Sequence, residues 1–192
     1  MSDESRNRDL LAEELLAVRC QLGEPAAFEE LVALLHLRLW GYLIRLVGDR
    51  GVAEDALQET WLRVLRGVSR LRERDRLFSW VFGIARRVAM DGLRRRRVVV
   101  DLEDPAVAQM AATEEPVELE DKTLLLQEEL LQLPLLEREV LTLFYLEELS
   151  LRQVAEIVGV PEGTVKSRLF RARRMLHERF LRNDSASKGQ GR

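Results

Sequence analysis

The pattern of hydrophobic and polar residues is helical through the first half of the chain. Apolar residues recur every three or four positions, and glycine, proline or charged breaks interrupt them where helices should end. No stretch alternates with a period of two between turn residues, so the sequence predicts no sheet. The predicted helices are Leu10–Cys20, a long helix from Glu24-Pro25 to Gly48, a third from about Arg50 to Arg66 and, after a charged break at Ser69–Arg76, a fourth from about Phe78 to Arg96.

Periodicity disappears between Val98 and Lys122, where two prolines and eight acidic residues replace it. Such a composition favours a flexible connector over a packed helix. The helical pattern resumes at Leu124–Leu133 and again after Pro134. We therefore predict an all-α fold of two small helical domains, residues 10–97 and 123–182, joined by a flexible acidic linker, residues 98–122, with an unstructured lead (1–9) and tail (183–192).

The stretch Ser150–Leu176 predicts two short helices joined by a glycine turn. Ser150 and Gln153 have the spacing of a capping box, in which the two side chains satisfy free backbone N–H groups at a helix start. Gly159 stands where a helix end favours positive φ, and Pro161 suits the first turn of the next helix. This is the pattern of a helix-turn-helix unit, whose second helix enters the major groove of DNA.

The second helix of this unit has an apolar stripe, Val165 to Leu176, and an opposite face that is mainly basic. A solvated surface explains the charges of that face equally well. Phe170 favours the DNA interpretation, because an aromatic ring among basic groups is unhelpful for solubility but can contact a thymine methyl group. The outer face carries Lys166, Ser167, Phe170, Arg171 and Arg174.

The net charge of −3 conceals an uneven distribution. Residues 63–97 carry twelve basic and three acidic side chains, whereas residues 98–121 carry eight acidic and no basic ones. Phosphates respond to the local field, so a nucleic-acid partner is compatible with an acidic average. The basic block also contains Phe78, Trp80 and Phe82, which are either stacking platforms for single-stranded bases or, as the periodicity favours for at least two of them, core residues.

The sequence contains few residues of the types that form disulfides, metal sites or catalytic sites. Cys20 is the only cysteine, and the distant His36 and His177 argue against a histidine metal site. We find no paired carboxylates at metal spacing, no phosphate loop and no nucleophile beside a base, so we predict no enzyme activity, no metal and no cofactor. The N-terminus lacks a signal-peptide apolar core and no stretch is long enough to span a bilayer, which predicts a cytoplasmic protein.

Separated segments of the chain resemble the sigma-70 family of bacterial transcription initiation factors. The run Ala53-Glu-Asp-Ala-Leu-Gln-Glu-Thr-Trp-Leu-Arg-Val resembles the polymerase-binding segment of region 2, and residues 78–95 look like the promoter-melting and −10-reading segment that follows it. Leu133-Pro-Leu-Leu-Glu-Arg-Glu-Val and Gly163-Thr-Val-Lys-Ser-Arg-Leu-Phe-Arg-Ala-Arg are similar to region 4, the −35 reader. Two domains without a region 3 between them are the layout of the extracytoplasmic-function (ECF) group.

The resemblance implies several protein partners. One side of the third helix would face the β′ coiled coil of core RNA polymerase, although a merely solvated face explains the same charges. Region 4 would contact the polymerase β flap, the acidic linker would run toward the RNA path, and an anti-sigma factor is a further possible partner. The implied polymerase-binding residues are Glu54, Asp55, Gln58, Glu59 and Trp61.

The resemblance also implies two DNA sites. The −35 duplex would be contacted by Thr164, Lys166, Ser167, Phe170 and Arg171, with Arg168 and Arg174 on phosphates or internal pairs. The break from Leu71 to Leu77 corresponds to a loop that captures a flipped base of the −10 element. The residues implied in −10 binding and melting are Leu71, Arg72, Arg74, Arg76, Phe78, Trp80, Arg86, Arg87, Arg94 and Arg95.

Two positions depart from the family pattern. Arg87 stands where an asparagine is common, and Leu71 where an aromatic residue is frequent, so the −10 base preference stays open. The sequence as a whole predicts a non-catalytic initiation factor that binds core polymerase, reads both promoter elements and helps to open the −10 region. The alternative is a conventional helix-turn-helix regulator that binds duplex operators as a dimer.

Overall fold

The structure is a computed structural model that describes residues 3–102 and 128–189, with side chains described for residues 8, 10–96 and 128–181. The chain divides into two compact units between Val99 and Val100. The described residues are helices and turns, with no strand among them, as the sequence predicts. In the same ranges no helix is both long and apolar enough to cross a bilayer.

The first unit is built from four consecutive helices, the last of which runs three residues past the boundary at Val99: α1 (Asp3–Gln21), α2 (Pro25–Val47), α3 (Arg50–Gly67) and α4 (Leu77–Leu102). Gly48 ends α2 in the left-handed conformation, at φ 74°, where glycine carries no Cβ penalty. The next residue, Asp49, caps α3 by accepting a hydrogen bond from the backbone N–H of Val52 at 2.9 Å. Two 3₁₀ turns, Val68–Arg70 and Arg74–Arg76, occupy the predicted break before α4.

A stripe of leucines on α2 forms the centre of this unit. Leu31, Leu35, Leu39 and Leu43 recur every four residues and are fully buried. Tyr42, one residue before Leu43, packs edge-to-face against Phe82 of α4, with ring centroids 5.5 Å apart. Phe82 is therefore a core residue and not a stacking platform, whereas Phe78 and Trp80 are only half-buried.

The second unit contains a helical turn at 128–131, then α5 (Leu135–Leu141), α6 (Leu151–Val158) and α7 (Glu162–Gly189). A π-helical turn, Thr142–Leu146, continues α5. The predicted stripe of α7 is buried at Val165, Leu169 and Ala172, against α5 and α6, and half-buried at Leu176. This burial leaves the opposite side of α7 in solvent.

Three predicted boundaries differ from the structure. The lead and tail, predicted as unstructured, are helical over residues 3–9 and 183–189, and α4 continues through residues 98–102 of the predicted linker. No proline or glycine interrupts these stretches before Gly189. Extending an existing helix fixes one residue for each new hydrogen bond, whereas nucleation is costly, so polar composition alone does not end a helix. The rest of the linker, residues 103–122, lies outside the described residues.

Candidate nucleic-acid interface

The helix-turn-helix of the second unit has the geometry that its sequence predicts. The Ser150 side chain accepts from the backbone N–H of Gln153, and the Gln153 side chain accepts from the N–H of Ser150 at 2.9 Å, which completes the capping box. Gly159 ends α6 at φ 73°, and its N–H donates to the Ala155 carbonyl. Pro161 lies one residue before α7, not in its first turn, and its carbonyl accepts from Thr164 and Val165.

The outer face of α7 is exposed and mainly basic. Phe170 is 61% exposed, an unusual state for a phenylalanine on a helix with a complete apolar stripe. Lys166 and Ser167 lie beside it in solvent, and the Ser167 hydroxyl donates to the Thr164 carbonyl at 2.9 Å. Thr164 itself is half-buried. Lys166, Ser167 and Phe170 therefore offer a cation, a hydroxyl and an aromatic ring within two helical turns.

The arginines of α7 differ in their surroundings. Arg171 lies 3.1 Å from the carboxylate of Glu137 on α5. The Glu137 side chain is only 9% exposed, so its carboxylate is held in place and orients one edge of the exposed Arg171 guanidinium. Arg174 pairs loosely with Glu178 at 3.5 Å, with both side chains exposed. Arg168 is half-buried, and its Nη1 is buried without a hydrogen-bond partner. Glu137 was not foreseen in the sequence, because nothing local marks a carboxylate that acts on another helix.

In the first unit, the residues predicted for −10 binding lie in the loop before α4 and along α4. Arg72, Arg74 and Arg87 are exposed, whereas Leu71, Arg76, Phe78, Trp80 and Arg86 are half-buried. The Trp80 ring lies against the end of α3, where a Cβ on Gly67 would come within 3.1 Å of Trp80 Cζ2. A Cβ at residue 67 would push the half-buried indole by a few tenths of an ångström, so glycine permits the closest packing of Trp80 on α3.

The basic end of α4 is partly neutralised within the protein. Arg94 pairs with Asp91, and Arg95 Nε donates to the Asp91 carbonyl at 3.3 Å. Arg96 extends to Asp49, the cap of α3, at 2.7 Å. Burial opposes ionisation of Asp49, but its hydrogen bonds from Val52 and Arg96 outweigh burial and lower its pKa. Part of the predicted positive field is thus internally compensated.

The residues predicted to bind polymerase lie on α3. Glu54, Asp55 and Gln58 are exposed, with Glu54 paired to Arg50 at 3.0 Å; Glu59 is half-buried and paired to Arg63 at 2.6 Å. A groove of about 510 Å³ runs between α3 and α4 next to these acids. The structure thus brings predicted polymerase residues and the predicted DNA residue Arg95 to one groove, which is lined by Val52, Asp55, Ala56, Glu59, Arg63, Val88, Ala89, Gly92 and Arg95.

Trp61, also predicted to bind polymerase, takes part in packing α3 on α2. Its ring stacks on His36 at 6.4 Å between centroids and meets Phe28 edge-on at 6.1 Å. Its indole Nε1 is buried without a hydrogen-bond partner. Trp61 lies four residues after Leu57 on the apolar stripe of α3, so periodicity alone would have assigned it to packing.

Glu13 of α1 is a buried carboxylate that the sequence analysis missed. It is 7% exposed, and its Oε1 accepts the backbone N–H of Phe78 at the start of α4, at 2.7 Å. Burial raises the pKa of Glu13 to about 7; the Phe78 hydrogen bond and Arg38 oppose the rise and Asp75 adds to it. Its partner lies 65 residues away, so no local pattern could have revealed it.

We expect Glu13 to make the stability of the first unit pH-dependent. Because its folded pKa of about 7 exceeds the ordinary glutamate pKa of 4.5, its contribution is fully present below pH 4.5 and is lost as pH rises through 7. Glu13→Gln keeps an oxygen acceptor without the charge. Relative to wild type, this variant should therefore gain stability as pH rises from 4.5 to 7, by up to about 3 kcal/mol.

Denaturant unfolding across this pH range measures the difference. Tryptophan fluorescence reports the first unit specifically, because Trp40, Trp61 and Trp80 all belong to it. Glu14→Gln, at the neighbouring exposed acid, is the matched control and should follow the wild-type profile. Parallel profiles for wild type and Glu13→Gln would show that Glu13 does not titrate in this way.

The second unit presents a helix-turn-helix with an exposed basic and aromatic face, and the first unit carries a basic helix, α4, and an acidic one, α3. These surfaces together are those of a protein that binds DNA at more than one site. Family models identify the two halves: residues 16–98 match "Sigma-70 region 2" and residues 123–176 match "Sigma-70, region 4". The chain belongs to the sigma-70 family, in its ECF group.

Individual relatives agree with this assignment. The chain is 37% identical over 141 residues to the ECF RNA polymerase sigma factor SigL of Mycobacterium tuberculosis, covering 72% of this chain and 80% of SigL. It is 30% identical over 146 residues to the ECF RNA polymerase sigma factor SigM of Bacillus subtilis, covering 75% and 89%. Among solved structures, the sigma factor RpoE of Bartonella quintana, crystallised with the anti-sigma factor NepR, matches with a TM-score of 0.67 at 26% identity, covering 79% of this chain and 94% of RpoE.

Proposed function

We propose that this sigma factor binds core RNA polymerase and directs it to promoters, with the second unit on the −35 duplex and the first on the −10 element. The observation that carries the proposal is the outer face of α7. Phe170 is 61% exposed between Lys166 and Arg171, in the part of a helix-turn-helix that meets base edges. A partner with phosphates and thymine methyl groups matches both the charge and the ring.

At the −35 element, some residues of α7 are proposed to contact bases and others to contact phosphates. Arg171, oriented by Glu137, is suited to two acceptors on one guanine, and Phe170 to a thymine methyl group. Thr164, Lys166 and Ser167 lie on the N-terminal half of the helix, nearest the bases. Arg168 and Arg174 are assigned to phosphates, because one is half-buried and the other is held along the helix by Glu178.

At the −10 element, the loop and α4 offer both charge and rings. Leu71, Arg72, Arg74 and Arg76 form the loop that would receive an extruded base, while Phe78 and Trp80 expose part of their rings beside it. Farther along α4, Arg86, Arg87, Arg94 and Arg95 would follow the phosphate backbone.

On the polymerase side, the acidic face of α3 is the proposed docking surface for a basic element. Glu54, Asp55, Gln58 and Glu59 supply its polar groups, and Trp61 fixes the helix from behind by packing on α2. The chain would act in the cytoplasm, where polymerase and promoters are, and without catalysing a reaction itself. An anti-sigma factor, of the kind bound to the Bartonella RpoE, is a further proposed partner.

The test is reconstitution. Core RNA polymerase with this protein is expected to start transcription at defined promoters selected from a randomised library, whereas core enzyme alone is not. The protein should also co-purify with core polymerase at low salt. Tight binding of the free protein to a palindromic operator, with no retention by core polymerase, would support the conventional helix-turn-helix regulator instead.

A further inference from the structure

Two side chains of α1, Gln21 and Glu13, form hydrogen bonds with the segment between α3 and α4. Gln21 Nε2 donates to the Leu71 carbonyl at 2.6 Å and to the Val68 carbonyl at 3.3 Å, and Gln21 Oε1 accepts from Arg74 Nε at 2.8 Å. One amide thus joins both 3₁₀ turns of the loop. These partners lie 47 to 53 residues away in sequence.

Glu13 holds the other end of the same loop. Its carboxylate accepts the Phe78 N–H, one of the backbone donors that a helix start leaves free. The residues just before Phe78 are Arg76 and Leu77, neither of which can cap a helix with a side-chain acceptor. The cap for α4 therefore comes from another helix.

The two anchors belong to one stripe of α1. Glu13, Ala17 and Gln21 recur at four-residue intervals, which places them on the same side of the helix. Ala17 between them is fully buried, so a small residue permits close packing between two polar contacts. Gln21 therefore bonds to residues 68–74 of the loop, and Glu13 to Phe78 where the loop ends.

The loop needs this support, because its own side chains bury little. Between Val68 and Leu77, which are buried, Arg70, Arg72, Glu73, Arg74 and Asp75 are exposed. Ordering a residue costs on the order of 1–2 kcal/mol in backbone entropy, and exposed charges do little to offset it. A loop that must receive an extruded base gains from having its shape set beforehand.

We propose that Gln21 and Glu13 are positioning residues that hold the loop from Val68 to Phe78 in the shape that captures the unpaired −10 base. The inference rests on the proposed function. It assigns to α1, which carries none of the predicted DNA contacts, an effect on promoter opening that acts through the loop and leaves polymerase binding unchanged.

The first test measures open-complex formation by the full chain with core polymerase. Gln21→Leu removes the three side-chain hydrogen bonds at similar volume, and we expect opening of a duplex promoter to slow about tenfold. Core-polymerase affinity and initiation from a template already unpaired at −10 should equal wild type. Leu22→Ala, at the adjacent exposed residue, is the matched control and should open promoters normally.

Glu13 provides a second, independent variant. Glu13→Ala removes the cap of α4 and should slow opening, whereas Glu13→Gln retains an oxygen for the Phe78 N–H and should restore it. Normal opening by Glu13→Gln would show that Glu13 acts by capping α4 and not through its negative charge. Failure of both Glu13→Ala and Gln21→Leu to slow opening would overturn the proposal.

Abasic sites distinguish positioning from a general loss of structure. When bases of the non-template −10 strand are removed one at a time, the Gln21→Leu defect should vanish at one position only, because the loop then has no base to hold. A defect that persists at every position, or a parallel loss of core-polymerase binding, contradicts the proposal. Failure of the wild type itself to start at promoters would instead remove the proposed function and this inference with it.

Discussion

Replacing Arg171 by alanine is expected to weaken promoter binding by about 1–3 kcal/mol at a single −35 base pair. The reason lies in the contact between Arg171 Nη2 and the Glu137 carboxylate, at 3.1 Å. A guanidinium has five N–H donors, so one edge can be held by Glu137 while another meets a base. A side chain oriented in advance loses less freedom when it binds, which favours a base-specific contact over a diffuse one.

The measurement is polymerase binding to promoters in which each −35 base pair is changed in turn. Wild type should discriminate at the position that Arg171 reads, and Arg171→Ala should accept all four base pairs there. Arg174→Ala provides the contrast: as a phosphate contact it should weaken binding about equally on every sequence. Uniform weakening by Arg171→Ala would reassign that residue to the phosphate backbone.

Arg171→Ala also leaves Glu137 without this partner. The Glu137 side chain is only 9% exposed, so an unpaired charge there can destabilise the second unit and imitate a binding defect. Thermal unfolding of the variant separates the two effects. A loss of binding confined to one −35 base pair is the expected result, because destabilisation of the unit would weaken binding equally on every sequence.

Reversing the charge of Asp55 is expected to lower affinity for core polymerase about a hundredfold or more. Asp55 lies in the acidic face of α3, between the pairs Arg50–Glu54 and Glu59–Arg63, and is itself exposed. If a basic element of polymerase docks there, Asp55→Arg places like charges together, which costs several kcal/mol. Competition with labelled wild-type protein for core polymerase measures the change.

Glu14→Arg is the matched control, because it reverses an exposed acid of the same unit on α1. It should bind core polymerase as wild type does. Equal losses in the two variants would mean that only the net charge of the unit matters. No loss in either would favour the simpler interpretation of the α3 face as a solvated surface.

Local signals in the sequence predicted most of the helix boundaries correctly. The capping box at Ser150 and Gln153 and the positive φ of Gly48 and Gly159 depend on residues within one helical turn, so the sequence alone contains them. Trp61 is also placed by local spacing: it lies four residues after Leu57 on the apolar stripe of α3, and the structure packs it on α2, while its predicted contact with polymerase stays a prediction.

Long-range contacts could not be predicted in the same way. Glu13 with Phe78, Gln21 with Leu71, and Arg171 with Glu137 join residues of different elements, and their spacing follows from tertiary packing. Each involves a polar residue of a type common on helix surfaces, so composition marks none of them. These contacts lie at both candidate DNA sites, and the resemblance predicted residues that contact DNA but none that position them.

The ion pairs at the basic end of α4 have a consequence for how this protein responds to salt. Protein cations bind DNA largely by releasing the counterions condensed on its phosphates, and each contact adds to the salt dependence of affinity. Arg94 and Arg96 already form ion pairs with Asp91 and Asp49. Each arginine must therefore give up a carboxylate partner in order to bind a phosphate. If this block binds the −10 element as proposed, we expect the salt dependence of binding to reflect fewer charges than the twelve basic residues between positions 63 and 97.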